Sequence, residues 1–201
     1  MFVFLCCLIV VGGSGAPVLE NSSFEADRYT KYPGTAAANG GIITGWSYTG
    51  NAGVNPIWKD PQAQRAPESP FHDNGAIPQG KQLAFIQGPG SLRQMVKGFE
   101  EGKCYIVTLR ENARVARQGT QWPRVQVKLG GEVIISPHEV TPIAEANAFD
   151  VPFYRVESAP FVAPRSGEFE LSIETIQESH TTTLLIDAVE IREVTPPASP
   201  K

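Results

Sequence analysis

The feature that most constrains this chain is the alternation of apolar and polar residues in short runs between residues 18 and 194. In EFELSIETI (168 to 176), Phe169, Leu171 and Ile173 lie on one side of an extended strand, and polar residues lie on the other. Gly, Pro, Asn and Asp separate the runs, and helical periodicity is nearly absent. This pattern predicts an all-β fold in which two sheets pack as a β-sandwich of jelly-roll type.

Nine runs are predicted as strands, and the glycine pair in LGGEV (129 to 133) predicts a tight hairpin turn. Two long irregular stretches, 49 to 80 and 113 to 123, are the kind of loop that often carries function. The predicted strands cover residues 18 to 25, 43 to 48, 82 to 87, 91 to 99, 104 to 112, 124 to 135, 153 to 163, 167 to 176 and 182 to 194.

The domain organisation follows from the two ends of the chain. Residues 1 to 15 contain a short apolar run followed by small residues, which predicts a secretory signal peptide and a secreted or cell-surface protein. The alternative is a buried first strand. Residues 16 to 194 form one β-sandwich domain, and the Pro-rich residues 195 to 201 are a tail or linker. Removal of the leader leaves Cys104 as the only cysteine, which we expect in the core.

The net charge of -4 argues against partners that a basic surface would bind. A chain with no excess of Lys and Arg has little with which to neutralise phosphates or anionic lipids. Beyond the leader, no apolar stretch is long enough to span a membrane. We therefore expect no nucleic-acid partner and no membrane insertion.

One acid falls on an apolar face of the last predicted strand, LLIDAVEI. Asp187 shares its register with Leu185, Val189 and Ile191, so its carboxylate needs a partner. In a jelly roll the first and last strands often lie side by side, so Glu25 could meet Asp187 and the two could hold Ca²⁺. The alternative is that Glu25 caps a turn in solvent and Asp187 pairs with an arginine such as Arg192.

Three short motifs, NSSFEAD, ITGWSY and LLIDAVEI, resemble the framework of carbohydrate-binding modules with the galactose-binding jelly-roll fold. The middle stretch IPQGKQLAFIQGPGSLRQMV, followed by CYIVTLRENAR, is also similar to the secreted cell-wall domains of the DUF642 group. The resemblance covers residues 18 to 194. It implies a glycan-binding protein in which Glu25 and Asp187 ligate a structural calcium ion.

Sugar sites combine an exposed aromatic plane with polar side chains, which makes the tryptophans candidates. Trp58 and Trp122 stand in polar stretches and are predicted to bind ligand, whereas Trp46 in TGWSY is predicted in the core. His72 and Asp73 are further ligand candidates, although Asp and Asn before Gly are also ordinary turn residues.

Glu111 is a second acid on an apolar register, shared with Tyr105, Val107 and Leu109. A bulge could turn it outward, and Arg114 could pair with it. If Glu111 stays on a concave sheet face, we expect Glu111 and Arg114 to form a polar anchor for a ligand.

The sequence contains no catalytic motif that we can identify. The three histidines have no metal-binding spacing, no nucleophile elbow is present, and Ser91 lacks a base nearby in the sequence. We therefore predict that the chain is not an enzyme. Two alternatives to glycan binding stay open: a structural or adhesion module that docks to a cell-surface protein, and a small glycoside hydrolase that uses two of the 21 acidic residues.

Overall fold

The computed structural model describes residues 16–29, 31, 34–56, 71, 74–114, 121–143, 153–178 and 181–195. Within these ranges the regular structure is β, apart from a 3₁₀ turn at Ala37–Asn39. The strands are β1 (Ser47–Pro56), β2 (Gln82–Phe99), β3 (Cys104–Ala113), β4 (Arg124–Leu129), β5 (Glu132–Glu139), β6 (Tyr154–Glu157), β7 (Phe161–Val162), β8 (Gly167–Thr175) and β9 (Thr183–Val194).

The strands form two packed sheets that share β2. The first sheet has the order β5-β4-β8-β2 and uses the second half of β2, whereas the second sheet has the order β2-β9-β3-β6 and uses the first half. β1 pairs along both halves of β2, and β7 pairs with β3. The predicted all-β, two-sheet jelly-roll sandwich is confirmed.

Glycines allow β2 and β1 to bend together from one sheet into the other. Gly88 has φ 71° and Gly50 has φ 72°, a backbone conformation that residues other than glycine rarely adopt. A Cβ atom on Gly50 would lie 2.3 Å from the carbonyl oxygen of Pro89. The predicted strands 82 to 87 and 91 to 99 are therefore one strand, because these glycines bend the ladder without ending it.

The main core lies between the two sheets. Trp46 is only 5% exposed and packs against Phe24, with ring centroids 5.4 Å apart. Cys104 is also buried. Both core predictions are confirmed. The sheets contribute, among others, Leu92, Val127, Leu171 and Ile173 from the first and Val107, Leu109, Leu184 and Ile186 from the second.

Several predicted elements differ from the structure. The predicted strand 124 to 135 contains β4 and part of β5, 153 to 163 contains β6 and β7, and residues 49 to 56 of the predicted irregular stretch belong to β1. Residues 18 to 25 form turns, with one isolated bridge between Val18 and Lys97, because Asn21 and Phe24 have positive φ angles of 49° and 59°. Of residues 43 to 48, only the last two belong to β1. The hairpin predicted at LGGEV is confirmed, since the two glycines at positive φ join β4 to β5.

A second, smaller core covers the outer face of the second sheet. Adjacent residues in β2 and β9 are buried on both faces, which explains why LAFI (83 to 86) and LLI (184 to 186) are continuous apolar runs. The second core consists of Phe71, Leu83, Phe85, Phe153 and Leu185.

Candidate functional site

Glu25 is held by the backbone that leads into β2. The amides of Lys81 and Gln82 both donate to Glu25 Oε1, each at 2.7 Å. Gly80 has φ 76°, and a Cβ atom there would lie 2.4 Å from the same oxygen. Only glycine lets this loop approach the carboxylate so closely.

The same loop also binds Asp187. The amide of Gln79 donates to Asp187 Oδ2 and the amide of Ala188 donates to Oδ1, each at 2.7 Å. Asp187 is fully buried, and this burial raises its pKa to about 7. The two amide bonds oppose that increase, and the negative charge of Glu25 adds to it. Glu25 and Asp187 therefore bond to the same loop and lie near enough for the charge of Glu25 to affect the pKa of Asp187, and we call them the carboxylate pair.

Neither member of the carboxylate pair forms an ion pair with a basic side chain of the described residues. Arg192, the alternative partner of Asp187, lies 3.4 Å from Glu157. No cluster of three or more His, Cys, Asp or Glu side chains suitable for a metal occurs in the described ranges. A hard cation would fit two carboxylates only if backbone carbonyl oxygens completed its coordination.

A bulge at Ala188 changes the predicted face of the last strand. Ala188 has φ 48°, and the ladder between β3 and β9 shifts register at this level. Leu185 belongs to the second core and Val189 to the main core. The prediction that Asp187 shares one face with both residues is therefore wrong for Val189, because the extra residue reverses the alternation.

The outer face of the second sheet carries side chains in rows across the strands, because residues opposite each other in a ladder share a face. One row is polar: Asn51 lies opposite Gln87, Gln87 lies opposite Thr183, and the amide of Arg114 donates to the Thr183 carbonyl. We call these four residues the polar row. Asn51 is exposed, and Gln87 and Arg114 are half-buried.

The next row along the strands is largely apolar. Phe85 lies opposite Leu185, which in turn lies opposite Asn112. Beyond it, Asp187 lies opposite Arg110. Phe85 and Leu185 are buried in the second core, so the polar row is the part of this face that a ligand can reach.

Three buried side-chain oxygens have no hydrogen-bond partner within the described part of the chain: Thr183 Oγ1 in the polar row, Asn74 Oδ1 and Glu111 Oε2. The nitrogen of the Asn74 side-chain amide donates to the carbonyl of Ala113 at 2.7 Å. Thr183 is not among the predicted site residues, and Asn74 is predicted in a turn. The signal that could have found this face is the pair of continuous apolar runs, which indicate burial on both sides.

Glu111 pairs with a histidine, and its predicted pairing with Arg114 is wrong. Glu111 is 2% exposed, and its Oε1 lies 2.7 Å from His138 Nε2. The hydrogen bond with Glu111 raises the pKa of His138. Glu111 lies opposite Ile186 on the core face, whereas Arg114 lies opposite Thr183 on the outer face. Alternation along β3 therefore separates Glu111 from Arg114.

The other predicted ligand residues have different positions. Trp122 is half-buried just before β4. Trp58, His72 and Asp73 lie outside the described residues, as do residues 1 to 15 and 196 to 201. Within the residues that the structure describes, no helix has the length and hydropathy that a membrane crossing requires.

Comparisons of the sequence identify no family. No protein-family model matches the chain, and no curated protein matches it in sequence. The resemblance to the DUF642 group therefore stays a prediction.

Comparisons of the structure identify similar folds. The Stig cyclase Fisc from Fischerella sp. TAU, in complex with (3Z)-3-(1-methyl-2-pyrrolidinylidene)-3H-indole, is 15% identical at a TM-score of 0.61, covering 89% of this chain and 97% of that one. A cyclase from the same source in complex with 4-(1H-indol-3-yl)butan-2-one is 15% identical at a TM-score of 0.56, and the match covers 92% of this chain and 100% of that one. The carbohydrate-binding module TmCBM61 in complex with β-1,4-galactotriose is 14% identical at a TM-score of 0.51, and the match covers 84% of this chain and 100% of that one.

These neighbours confirm the resemblance to carbohydrate-binding modules at the level of the fold, and they correct one prediction. The prediction that the chain is not an enzyme is contradicted, because the cyclases are enzymes and share this fold over most of the chain. That prediction depends on missing sequence motifs. A motif search excludes only the chemistries whose motifs it contains.

Proposed function

We propose that this protein binds a glycan on the outer face of the second sheet. The observation that carries the proposal is the polar row, in which the exposed Asn51 and the half-buried Gln87 and Arg114 lie in one line across the strands of this face. Sugar rings present hydroxyl edges, which amide and guanidinium side chains bind through hydrogen bonds. The galactotriose-bound module with a similar fold supports the choice of ligand class.

We further propose that the carboxylate pair holds a structural Ca²⁺. Glu25 and Asp187 would supply two hard oxygen ligands, and the cation would offset their mutual repulsion. Support comes from the burial of Asp187 and from the effect of Glu25 on its pKa. We also infer that the protein is secreted, on the leader-like residues 1 to 15.

A second candidate function is catalysis on a small aromatic molecule. The observation that favours this candidate is that the cyclases with similar folds are in complex with indole compounds. The probe is 4-(1H-indol-3-yl)butan-2-one. A saturable increase in melting temperature with this compound, and none with any oligosaccharide, would favour this candidate.

The test of glycan binding is native affinity electrophoresis through gels that contain plant, algal and microbial polysaccharides. We expect at least one polysaccharide to retard the protein. Trp58→Ala and Trp122→Ala variants test the predicted aromatic contacts, and Val133→Ala, at an exposed position on β5, is the matched control. Unchanged migration through every gel contradicts glycan binding and favours docking to a cell-surface protein.

A further inference from the structure

We propose that the glycan bound by the polar row is acidic, and that the guanidinium group of Arg114 binds a carboxylate or sulfate group on one of its sugar rings. The inference rests on the proposed function, because it names the chemical class of the ligand at the same face. It gives Arg114 a partner from outside the chain in place of the predicted pairing with Glu111.

The first argument is that Arg114 lacks the carboxylate partner that other half-buried basic residues have. Lys103, Lys128 and Arg93 are half-buried, and each forms an ion pair with a glutamate, at 3.1, 2.8 and 3.7 Å respectively. Arg114 is half-buried too, yet no ion pair joins it to an acid of the described residues, and the same is true of Arg110 on the same face. A cation that has lost part of its hydration is stabilised by an anion nearby, and an acidic ligand supplies one.

The second argument is that the polar row offers donors that the chain itself does not use. The Asn51 side-chain amide donates to Gln87 Oε1 at 2.8 Å, which occupies the acceptor of Gln87. Within the described ranges, no hydrogen bond uses the side-chain nitrogen of Gln87 or the guanidinium nitrogens of Arg114. Carboxylate and sulfate groups only accept hydrogen bonds, so they match these donors, while Asn51 Oδ1 is left to accept from a sugar hydroxyl.

The third argument is that the two donors lie close together on one face. Gln87 and Arg114 flank Thr183 in the ladder, so their Cα atoms are separated by two strand spacings, or about 10 Å. Both side chains are on the outer face, because residues opposite each other in a ladder share a face. Both are half-buried and Asn51 is exposed, so a ligand lying across Thr183 can contact all three from solvent.

The net charge of -4 does not oppose an acidic ligand at this position. The four residues of the polar row include no acid. The nearest acid along β9, Asp187, is four residues from Thr183, or about 13 Å along the strand, and two backbone amides already bind its carboxylate. One arginine can bind a single carboxylate or sulfate group through two parallel hydrogen bonds, which requires no extended basic surface.

The test compares each acidic polysaccharide with a neutral form of the same polymer. The gels contain polygalacturonate, alginate or a sulfated galactan, or the same polymers after their carboxyl groups are reduced to alcohols or their sulfate groups are removed. We expect at least one acidic polymer to retard the protein, its neutral form to retard the protein much less, and added salt to weaken the retardation. The carboxylated and sulfated polymers distinguish the two kinds of anion.

Arg114→Gln should weaken binding of the retained polymer about tenfold or more, the loss expected for hydrogen bonds to a charged group. Its melting temperature should not decrease, because the guanidinium has no ion pair within the described residues. Arg192→Gln is the matched control, since it removes the same charge from an exposed arginine nine residues from Thr183 on β9, and it should bind normally. Gln87→Glu keeps an acceptor for Asn51 and adds a negative charge beside the bound anion, so it should weaken binding at least as much as Arg114→Gln.

The outcomes separate this inference from the proposed function. If no polysaccharide, acidic or neutral, retards the wild-type protein, glycan binding is refuted together with the acidic ligand. If the neutral forms retard it as strongly as the acidic forms, glycan binding stands and the acidic ligand is refuted. Equal binding by Arg114→Gln and the wild type, or an equal loss in Arg192→Gln, refutes the role of Arg114. Equally strong retardation by single-stranded DNA also refutes the inference, because the face would then bind any polyanion.

Discussion

The stability of the calcium-free protein should decrease as the pH rises from about 4 to about 7, and Asp187 should be the cause. The pKa of this carboxyl is raised from 3.8 to about 7 by burial, so the folded state binds the proton more tightly than the unfolded state. A group of this kind stabilises the fold at low pH and loses that contribution as the pH rises through the folded-state pKa. The difference corresponds to about 4 kcal/mol of unfolding free energy.

Calcium should reverse this loss. A cation between Glu25 and Asp187 favours the charged carboxylate, so added Ca²⁺ should stabilise the protein at pH 8, by about 2.7 kcal/mol at 100 times the dissociation constant. At pH 4.5 protons compete for the same oxygens, and we expect little effect.

The assay is urea unfolding between pH 4.5 and pH 8, followed by tryptophan fluorescence, with EDTA and with CaCl₂. Asp187→Asn should remove the pH dependence between 4 and 7 and the response to calcium. Glu25→Gln is the sharper control, because its amide oxygen can still accept from Lys81 and Gln82 while the charge is lost. Equal pH profiles for wild type and Asp187→Asn would refute the titration argument, and equal stability in EDTA and calcium would refute the metal.

Three further variants test the packing and the ionic contacts. Gly80→Ala should cost about 1–2 kcal/mol or more, because its φ is 76° and the added carbon would overlap Glu25; the urea midpoint measures this, and an unchanged midpoint contradicts the tight loop. His138→Ala should destabilise the protein by about 1–3 kcal/mol, since it leaves the buried Glu111 carboxylate without a donor. Because the pKa of His138 is raised, its contribution should be present below pH 6.5 and disappear at higher pH, so equal destabilisation at pH 6 and pH 9 argues against the ion pair. Trp46→Ala should cost about 3–5 kcal/mol in the same assay, as for a buried tryptophan, and a loss under 1 kcal/mol would contradict its core position.

The all-β class of the fold could be predicted because the alternation of apolar and polar residues shows which side of each strand faces solvent. EFELSIETI forms β8 with Phe169, Leu171 and Ile173 inside, as the period of two requires. The glycine pair after Leu129 likewise predicts its own turn, because both positions need positive φ angles.

The faces of β9 could not be predicted, because alternation assumes an unbroken ladder. Ala188 adopts φ 48° although alanine gives no local signal for that conformation, and one extra residue moves Val189 to the core. The hydrogen-bond partner of Glu111 could not be predicted from the sequence either. His138 follows it by 27 positions on a different sheet, and only the packing of the two sheets brings them together.

The most direct test of glycan binding on the second sheet is an NMR titration of the labelled protein with each oligosaccharide of the panel, β-1,4-galactotriose included. The reporters are the side-chain amides of Asn51 and Gln87 and the methyl group of Thr183, with the amide of Gln126 on the first sheet as the control. We predict that at least one oligosaccharide shifts the three reporters saturably and leaves Gln126 unchanged. No shift with any oligosaccharide, or shifts at Gln126 without the others, would contradict the account.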